Sequence, residues 1–219
     1  MLLSFSVFNF KVMKTEHEKL PMTSLRLEAL GDGIFSIAMT ILAIELTVPV
    51  VKGDQWKDFG KGLHFIINDL LCYAISFLVL GIMWFGHRLM FEYIGRSNRY
   101  FIFLGILFYL MVCLVPFSTR ILATYTYQWF AILMYGTNLS LCNLTLFAQW
   151  QYGRHRKSLS HIPIPDEVIK EANILFLFSP VVYTVSIVVS FFMPVISIGI
   201  FLITPLLYLL PNKIDKYLP

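Results

Sequence analysis

Charged residues are scarce in this chain. Of its 219 residues only 14% are charged, whereas 58% are hydrophobic, and the mean hydropathy is +0.73. Soluble globular domains carry about 25% charged residues, so the composition excludes an ordinary soluble domain. The apolar residues instead fall in long uncharged runs, which indicate a membrane protein.

Cysteines and catalytic motifs are also few. The three cysteines, Cys72, Cys113 and Cys142, lie within the apolar runs and form no C-x-x-C pair, so a disulfide framework and a thiolate zinc site are excluded. The five histidines are scattered, with no H-E-x-x-H pair and no nucleophile elbow. We therefore expect no enzymatic activity, no cofactor and no resident metal.

Six apolar runs are long enough to cross a bilayer, which takes about 20 residues for roughly 30 Å of hydrocarbon. The runs cover 27–48, 70–88, 99–115, 127–152, 173–191 and 195–210. Almost nothing polar separates the last two, and Pro194 predicts the break between them. The fold class that follows is all-α, a polytopic membrane protein with six transmembrane helices.

No soluble domain fits between these runs. We predict a cytoplasmic lead-in over residues 1–25, a six-helix membrane domain over 26–211 and a cytoplasmic tail over 212–219. The apolar opening lacks a preceding basic residue and a clear cleavage site, so we do not interpret it as a signal peptide. Residues 52–69 mix polar and aromatic side chains, as an amphipathic segment on the outer surface does.

Basic residues are distributed unevenly between the two sides that six spans define. The side with both termini holds 13 of the 17 Lys and Arg residues, and the opposite side holds only Lys52, Lys57, Lys61 and Arg120. By the positive-inside rule both termini are cytoplasmic. Topology thus explains the net charge of +4, which does not indicate a nucleic-acid partner; the expected partner is the lipid bilayer.

Polar residues at the ends of three spans meet at similar depth. Asp32 lies about 9 Å above Arg26 in the first span, and Trp84, His87 and Asn98 stand where the second span ends and the third begins. Intramembrane acids are costly and usually face protein or water. We predict a polar network of these five residues that anchors the first helix; the alternative is snorkelling of terminal side chains to the membrane surface.

Three isoleucines recur at helical spacing in the uncharged part of the first span. Ile37, Ile41 and Ile44 share one face, with Ser36 and Thr40 beside them. On a single helix such a stripe is ordinary packing surface. If several copies of the helix surround an axis, the same stripe forms hydrophobic constrictions that exclude hydrated ions or gate by dewetting.

The segment RLEALGDG at 26–33, followed by IFSIAMTIL, resembles the first-helix signature of the lysosomal potassium channel family, whose usual motif is R-x-x-x-F-S-D. Arg26 and Asp32 match the motif, while Leu30 and Gly31 replace its Phe and Ser. Other similar pieces occur in the same order: Trp84 and His87, PFST at 116–119, and the Tyr-Gly pair at 135–136.

The resemblance implies a potassium-permeable cation channel without the TVGYG carbonyl filter, which this chain also lacks. In that family the first helices line the pore, its constrictions map onto Ile37 and Ile44, and its threonine maps onto Thr40. Bacterial members have one six-helix unit. The resemblance therefore implies a homotetramer in the bacterial plasma membrane, with potassium as the permeating ion.

A second function class stays open at this point. Ionisable groups within spans also occur in proton-linked transporters and proton-conducting pathways. Asp32, His87 and Glu45 are the residues that such a pathway would use.

Overall fold

The computed structural model describes residues 22–47 and 55–208, which are almost entirely helical. In chain order the elements are β1 (Met22–Thr23), α1 (Leu25–Ile44), α2 (Gln55–Tyr93), β2 (Arg96–Ser97), α3 (Arg99–Cys113), α4 (Val115–Thr124), α5 (Trp129–His155), α6 (Asp166–Ser190) and α7 (Pro194–Tyr208).

Five stretches of these residues are helical, long and apolar enough to cross a bilayer. They are Leu25–Ile44, Phe65–Tyr93, Arg99–Thr124, Trp129–His155 and Asp166–Ser190. The sixth predicted span corresponds to α7, whose 15 residues cover about 22 Å. An all-α polytopic membrane fold is therefore confirmed, and the predicted break at Pro194 separates α6 from α7.

Two predicted boundaries were wrong. The second span does not start at 70, because α2 begins at Gln55 and its membrane-length part begins at Phe65; a helix needs no apolar side chains where it leaves the hydrocarbon. The third span does not end at 115, because α4 continues it to Thr124. Pro116 explains the joint, since proline lacks the N–H that α3 would need but fits the first turn of a new helix.

Helix α5 occupies the centre of the fold and packs against α3, α4 and α6. Its buried side chains include Tyr135 and Trp150. By contrast, α1 packs against α2, α3 and α4 with one face only. Among the residues that the structure describes, none covers the opposite face of α1, which makes this helix the element of interest.

Backbone hydrogen bonds fix the start of α1. Strands β1 and β2 pair antiparallel, with Met22 opposite Ser97. Ser24 adds a backbone bond of 3.2 Å to Gly95 and a side-chain bond of 2.9 Å to Ile94. The end of the predicted lead-in is thus folded, whereas its residues 1–21 and the predicted tail at 212–219 lie outside the described residues.

Candidate functional site

Helix α1 divides into a buried face and an exposed face. Leu27, Gly31, Phe35, Ala38 and Leu42 are buried against the neighbouring helices. The pore residues expected from the sequence all lie on the other side of the helix and are exposed: Ser36, Ile37, Thr40, Ile41 and Ile44. The face that the sequence marks as functional is therefore the one that the described part of the chain leaves exposed.

The three isoleucines of this face are exposed to different degrees. Ile37 and Ile44 are 60% and 78% exposed, and Ile41 is 37% exposed. The seven-residue step from Ile37 to Ile44 corresponds to a rise of about 10 Å. Between these two levels, the Thr40 hydroxyl donates a 2.8 Å hydrogen bond to the Ile37 carbonyl, so its proton is engaged and its oxygen remains available to a cation.

Two hydrogen-bonded groups connect the first part of α1 to its neighbours. The Trp84 indole donates a 2.8 Å bond to Asp32. His87 is fully buried, with Nε2 lying 2.8 Å from the Tyr109 hydroxyl. That hydroxyl in turn donates a 2.7 Å bond to the Leu27 carbonyl. Tyr109 was not singled out from the sequence, where it is one aromatic residue in an apolar run.

Asn98 and Arg26 stand apart from these bonds. The Asn98 side chain accepts a 3.0 Å bond from the Phe101 N–H and so caps α3, and it donates a second 3.0 Å bond to Tyr152. The expectation that Asn98 contacts Asp32 is corrected, because capping holds its amide at the α3 terminus. Arg26 is exposed and makes no hydrogen bond or ion pair to another described residue.

The far end of α1 is held by Arg120 of α4. Arg120 forms a 3.1 Å salt bridge with Asp69, which is only 4% exposed. The same guanidinium donates 3.3 Å and 3.2 Å bonds to the Glu45 carbonyl and the Thr47 hydroxyl. A cation at the carboxyl end of a helix also favours the helix dipole. The sequence offered one signal, a single arginine amid apolar residues.

The three residues of the proton-pathway alternative do not meet. Asp32 and Glu45 are 13 positions apart along α1, about 20 Å, and His87 bonds to Tyr109 rather than to either acid. Partial burial raises the pKa of the Glu45 carboxyl, and the Arg120 guanidinium opposes that rise. Within residues 22–47 and 55–208, no cluster of three His, Cys, Asp or Glu side chains fits a metal ion.

Comparison with known proteins agrees with this geometry. The family model described as endosomal/lysosomal potassium channel TMEM175 matches residues 26–116. A crystal structure of a lysosomal potassium-selective channel TMEM175 homolog from Chamaesiphon minutus superposes with a TM-score of 0.72 and 25% identity. The match covers 84% of this chain and 95% of that one. The chain thus resembles the TMEM175 family in sequence over residues 26–116 and in fold over most of its length.

The curated relatives include bacterial proteins that are named potassium channels. A protein of Chryseobacterium named potassium channel is 28% identical over 206 residues, 98% of its length. One of Streptomyces collinus with the same name is 38% identical over 100 residues, so the match spans about half of that protein, 48%. The Danio rerio relative, 32% identical over 91 residues, is named an endosomal/lysosomal proton channel TMEM175.

Proposed function

We propose that this chain is the subunit of a potassium-permeable cation channel that conducts ions passively. The observation that carries the proposal is the uncovered isoleucine face of α1, which is exposed in one subunit although the helix is otherwise packed. The match of residues 26–116 to the TMEM175 family model supports the same function, as do the bacterial relatives that are named potassium channels.

Four copies of the chain would place α1 around a central axis. Ile37 and Ile44 then form two apolar rings about 10 Å apart, with Ile41 narrowing the space between them. Thr40 supplies four hydroxyl oxygens between the rings. A tetramer also gives the exposed isoleucines a partner, because a face that is apolar and uncovered in one subunit becomes the wall of a shared pathway.

Selectivity in such a pore is modest. Apolar rings restrict hydrated ions by size and by dewetting, whereas strong selectivity needs an ordered array of oxygen ligands. Ser36 and Thr40 are the polar side chains of the exposed face. The discrimination between potassium and sodium therefore depends on two quantities. One is the diameter of the rings, and the other is the free-energy cost of partial dehydration of the ion, which the Thr40 hydroxyl reduces.

The chain spans the bacterial plasma membrane several times, with both termini in the cytoplasm. The uneven distribution of Lys and Arg supports this orientation. The start of α1, with Arg26 and Asp32, is then the cytoplasmic entrance of the pathway. The Arg120 cluster lies at the outer end.

Reconstitution tests the function directly. Purified protein in potassium-loaded liposomes should release potassium without an imposed proton gradient, and empty liposomes prepared alongside should not. Native mass spectrometry in detergent should give a particle of four 25.3 kDa chains. Flux that requires a proton gradient, or proton flux without potassium flux, would support the transporter or proton pathway instead. A monomeric particle with full flux would refute the shared pore.

A further inference from the structure

The Tyr109 hydroxyl lies directly against the α1 backbone at position 31. It donates a 2.7 Å bond to the Leu27 carbonyl, the residue four positions before Gly31. A Cβ atom added to Gly31 would lie 2.7 Å from that hydroxyl oxygen, a distance that real Cβ atoms essentially never show. The hydroxyl therefore reaches the carbonyl because residue 31 has no side chain.

His87 fills the rest of the same gap. The added Cβ would lie 2.6 Å from His87 Cε1, and the imidazole is fully buried. Three aromatic side chains surround the ring: Phe35, Phe91 and Phe108. A side chain at position 31 would thus have to displace an imidazole that is enclosed on several sides.

Hydrogen-bond directions fix the state of this histidine. A tyrosine hydroxyl has one proton, and the Leu27 carbonyl can only accept. Because Tyr109 gives its proton to that carbonyl, the bond of 2.8 Å to His87 requires Nε2 to be the donor. Tyr109 therefore fixes the position of the imidazole beside α1 and requires a proton on its Nε2.

We infer that Gly31 and Tyr109 are a matched pair, in which the Tyr109 hydroxyl makes the bond that a serine at position 31 would otherwise make. A serine within a helix can donate to the carbonyl four residues earlier, which from position 31 is Leu27. One carbonyl site cannot hold both hydroxyls at this spacing. Tyr109 is accordingly a positioning residue, which acts on α1 directly and by way of His87. That this positioning affects ion flow rests on the proposed function.

A double-mutant cycle tests the pair. Gly31→Ser should lower the unfolding temperature in detergent by about 5 °C or more, because overpacking at an enclosed site is destabilising. Tyr109→Phe should lower it by a smaller amount, since only hydrogen bonds are lost. In Gly31→Ser/Tyr109→Phe, the contact with the Tyr109 hydroxyl is gone and the Leu27 carbonyl is free for the serine, while the contact with His87 remains. The double variant should therefore recover part of the loss and unfold at a higher temperature than Gly31→Ser alone.

Two control variants separate the pair from general effects. Gly199→Ser places a side chain where a Cβ meets nothing within 4 Å, and Tyr100→Phe alters an exposed tyrosine of α3. Both should unfold like the wild type. Additive losses in the double variant, or a Gly31→Ser protein as stable as the wild type, would overturn the inference.

Potassium flux from liposomes provides the second readout. Flux should fall in Gly31→Ser and recover in the double variant relative to that single variant. If the wild type passes no potassium, the proposed function fails, while the unfolding cycle still decides whether residues 31 and 109 are paired. If the wild type passes potassium and the unfolding temperatures of the variants are additive, the pairing of Gly31 with Tyr109 is refuted and the proposed function stands.

Discussion

The indole N–H of Trp84 donates a 2.8 Å hydrogen bond to a carboxylate oxygen of Asp32. This bond joins α1 to α2 on the exposed side of the helix pair. The guanidinium of Arg88 lies 5.9 Å from the centre of the Trp84 ring, so a positive charge stands close to the same group. A hydrogen bond to a carboxylate is stronger than one between two neutral groups. The Trp84–Asp32 bond therefore stabilises the packing of the first turns of α1, the proposed pore helix, against α2.

Removing the Asp32 carboxylate should weaken this attachment. We expect Asp32→Ala to lower the free energy of unfolding by about 1 kcal/mol, because the acceptor is exposed and water replaces part of the bond. The yield of tetramer on size-exclusion chromatography should fall as well. Trp84→Phe should act in the same direction, and the double variant should be little worse than either single one.

Trp129→Phe is the matched control for the tryptophan change, since Trp129 stacks on Phe191 and lies on another helix. It should leave the yield of tetramer unaltered. Asp32→Ala protein that forms normal tetramers with normal currents would remove Asp32 from the anchoring of α1.

Shortening the exposed isoleucines should widen the proposed pathway. We expect Ile37→Ala and Ile44→Ala to raise sodium permeability relative to potassium, because a wider ring admits an ion with more of its hydration shell. Reversal potentials under mixed-ion conditions measure this ratio. Ile106→Ala on α3, where the side chain is 52% exposed, should leave the ratio unchanged. An unaltered ratio in both α1 variants would mean that these side chains face lipid or neighbouring helices.

The Arg120 salt bridge should matter more for stability than an ordinary surface pair. Arg120→Met leaves the Asp69 carboxylate, 4% exposed, without its cation. We expect a loss of about 2–3 kcal/mol, below the range for fully buried pairs because Arg120 is one-third exposed. Adding Asp69→Asn should recover part of this loss, because the uncompensated charge is gone.

Thermal unfolding in detergent measures both of these variants. Arg99→Met, at an exposed arginine of α3, controls for the loss of a positive charge and should be nearly neutral. Equal stability of Arg120→Met and Arg99→Met would show that the cluster at the end of α1 contributes nothing.

Local sequence patterns predicted the elements that depend on them. Pro194 could be assigned as a break because proline fits the first turn of a helix, where its missing N–H is not needed, and α7 begins at this residue. Helical spacing placed Ile37, Ile41 and Ile44 on one face, and that side of α1 is uncovered in the subunit. Hydropathy likewise found the long apolar helices, since crossing a bilayer requires them.

Features that depend on contacts between residues far apart in the sequence could not be predicted from local patterns. Arg120 continues a membrane helix because Asp69 and the end of α1 bind it, and hydropathy counts such a residue only as a charge. The amide of Asn98 is held away from Asp32 in part by its bond to Tyr152, which is 54 positions further along the chain. The partnership of Gly31 with Tyr109 joins residues 78 positions apart, so neither position alone indicates it.

The β1–β2 pairing holds the entry to α1 with main-chain atoms, and Arg96 of β2 extends it through a 3.1 Å bond to the Leu159 carbonyl. Every amino acid except proline offers the same N–H and C=O groups. The exposed Thr23 side chain takes no part in this backbone pairing, so a change of that side chain should not loosen the joint. The attachment of α1 to the α2–α3 connection therefore depends little on which side chains occupy the two strands. A proline at a hydrogen-bonded position would break it, because proline has no N–H to donate.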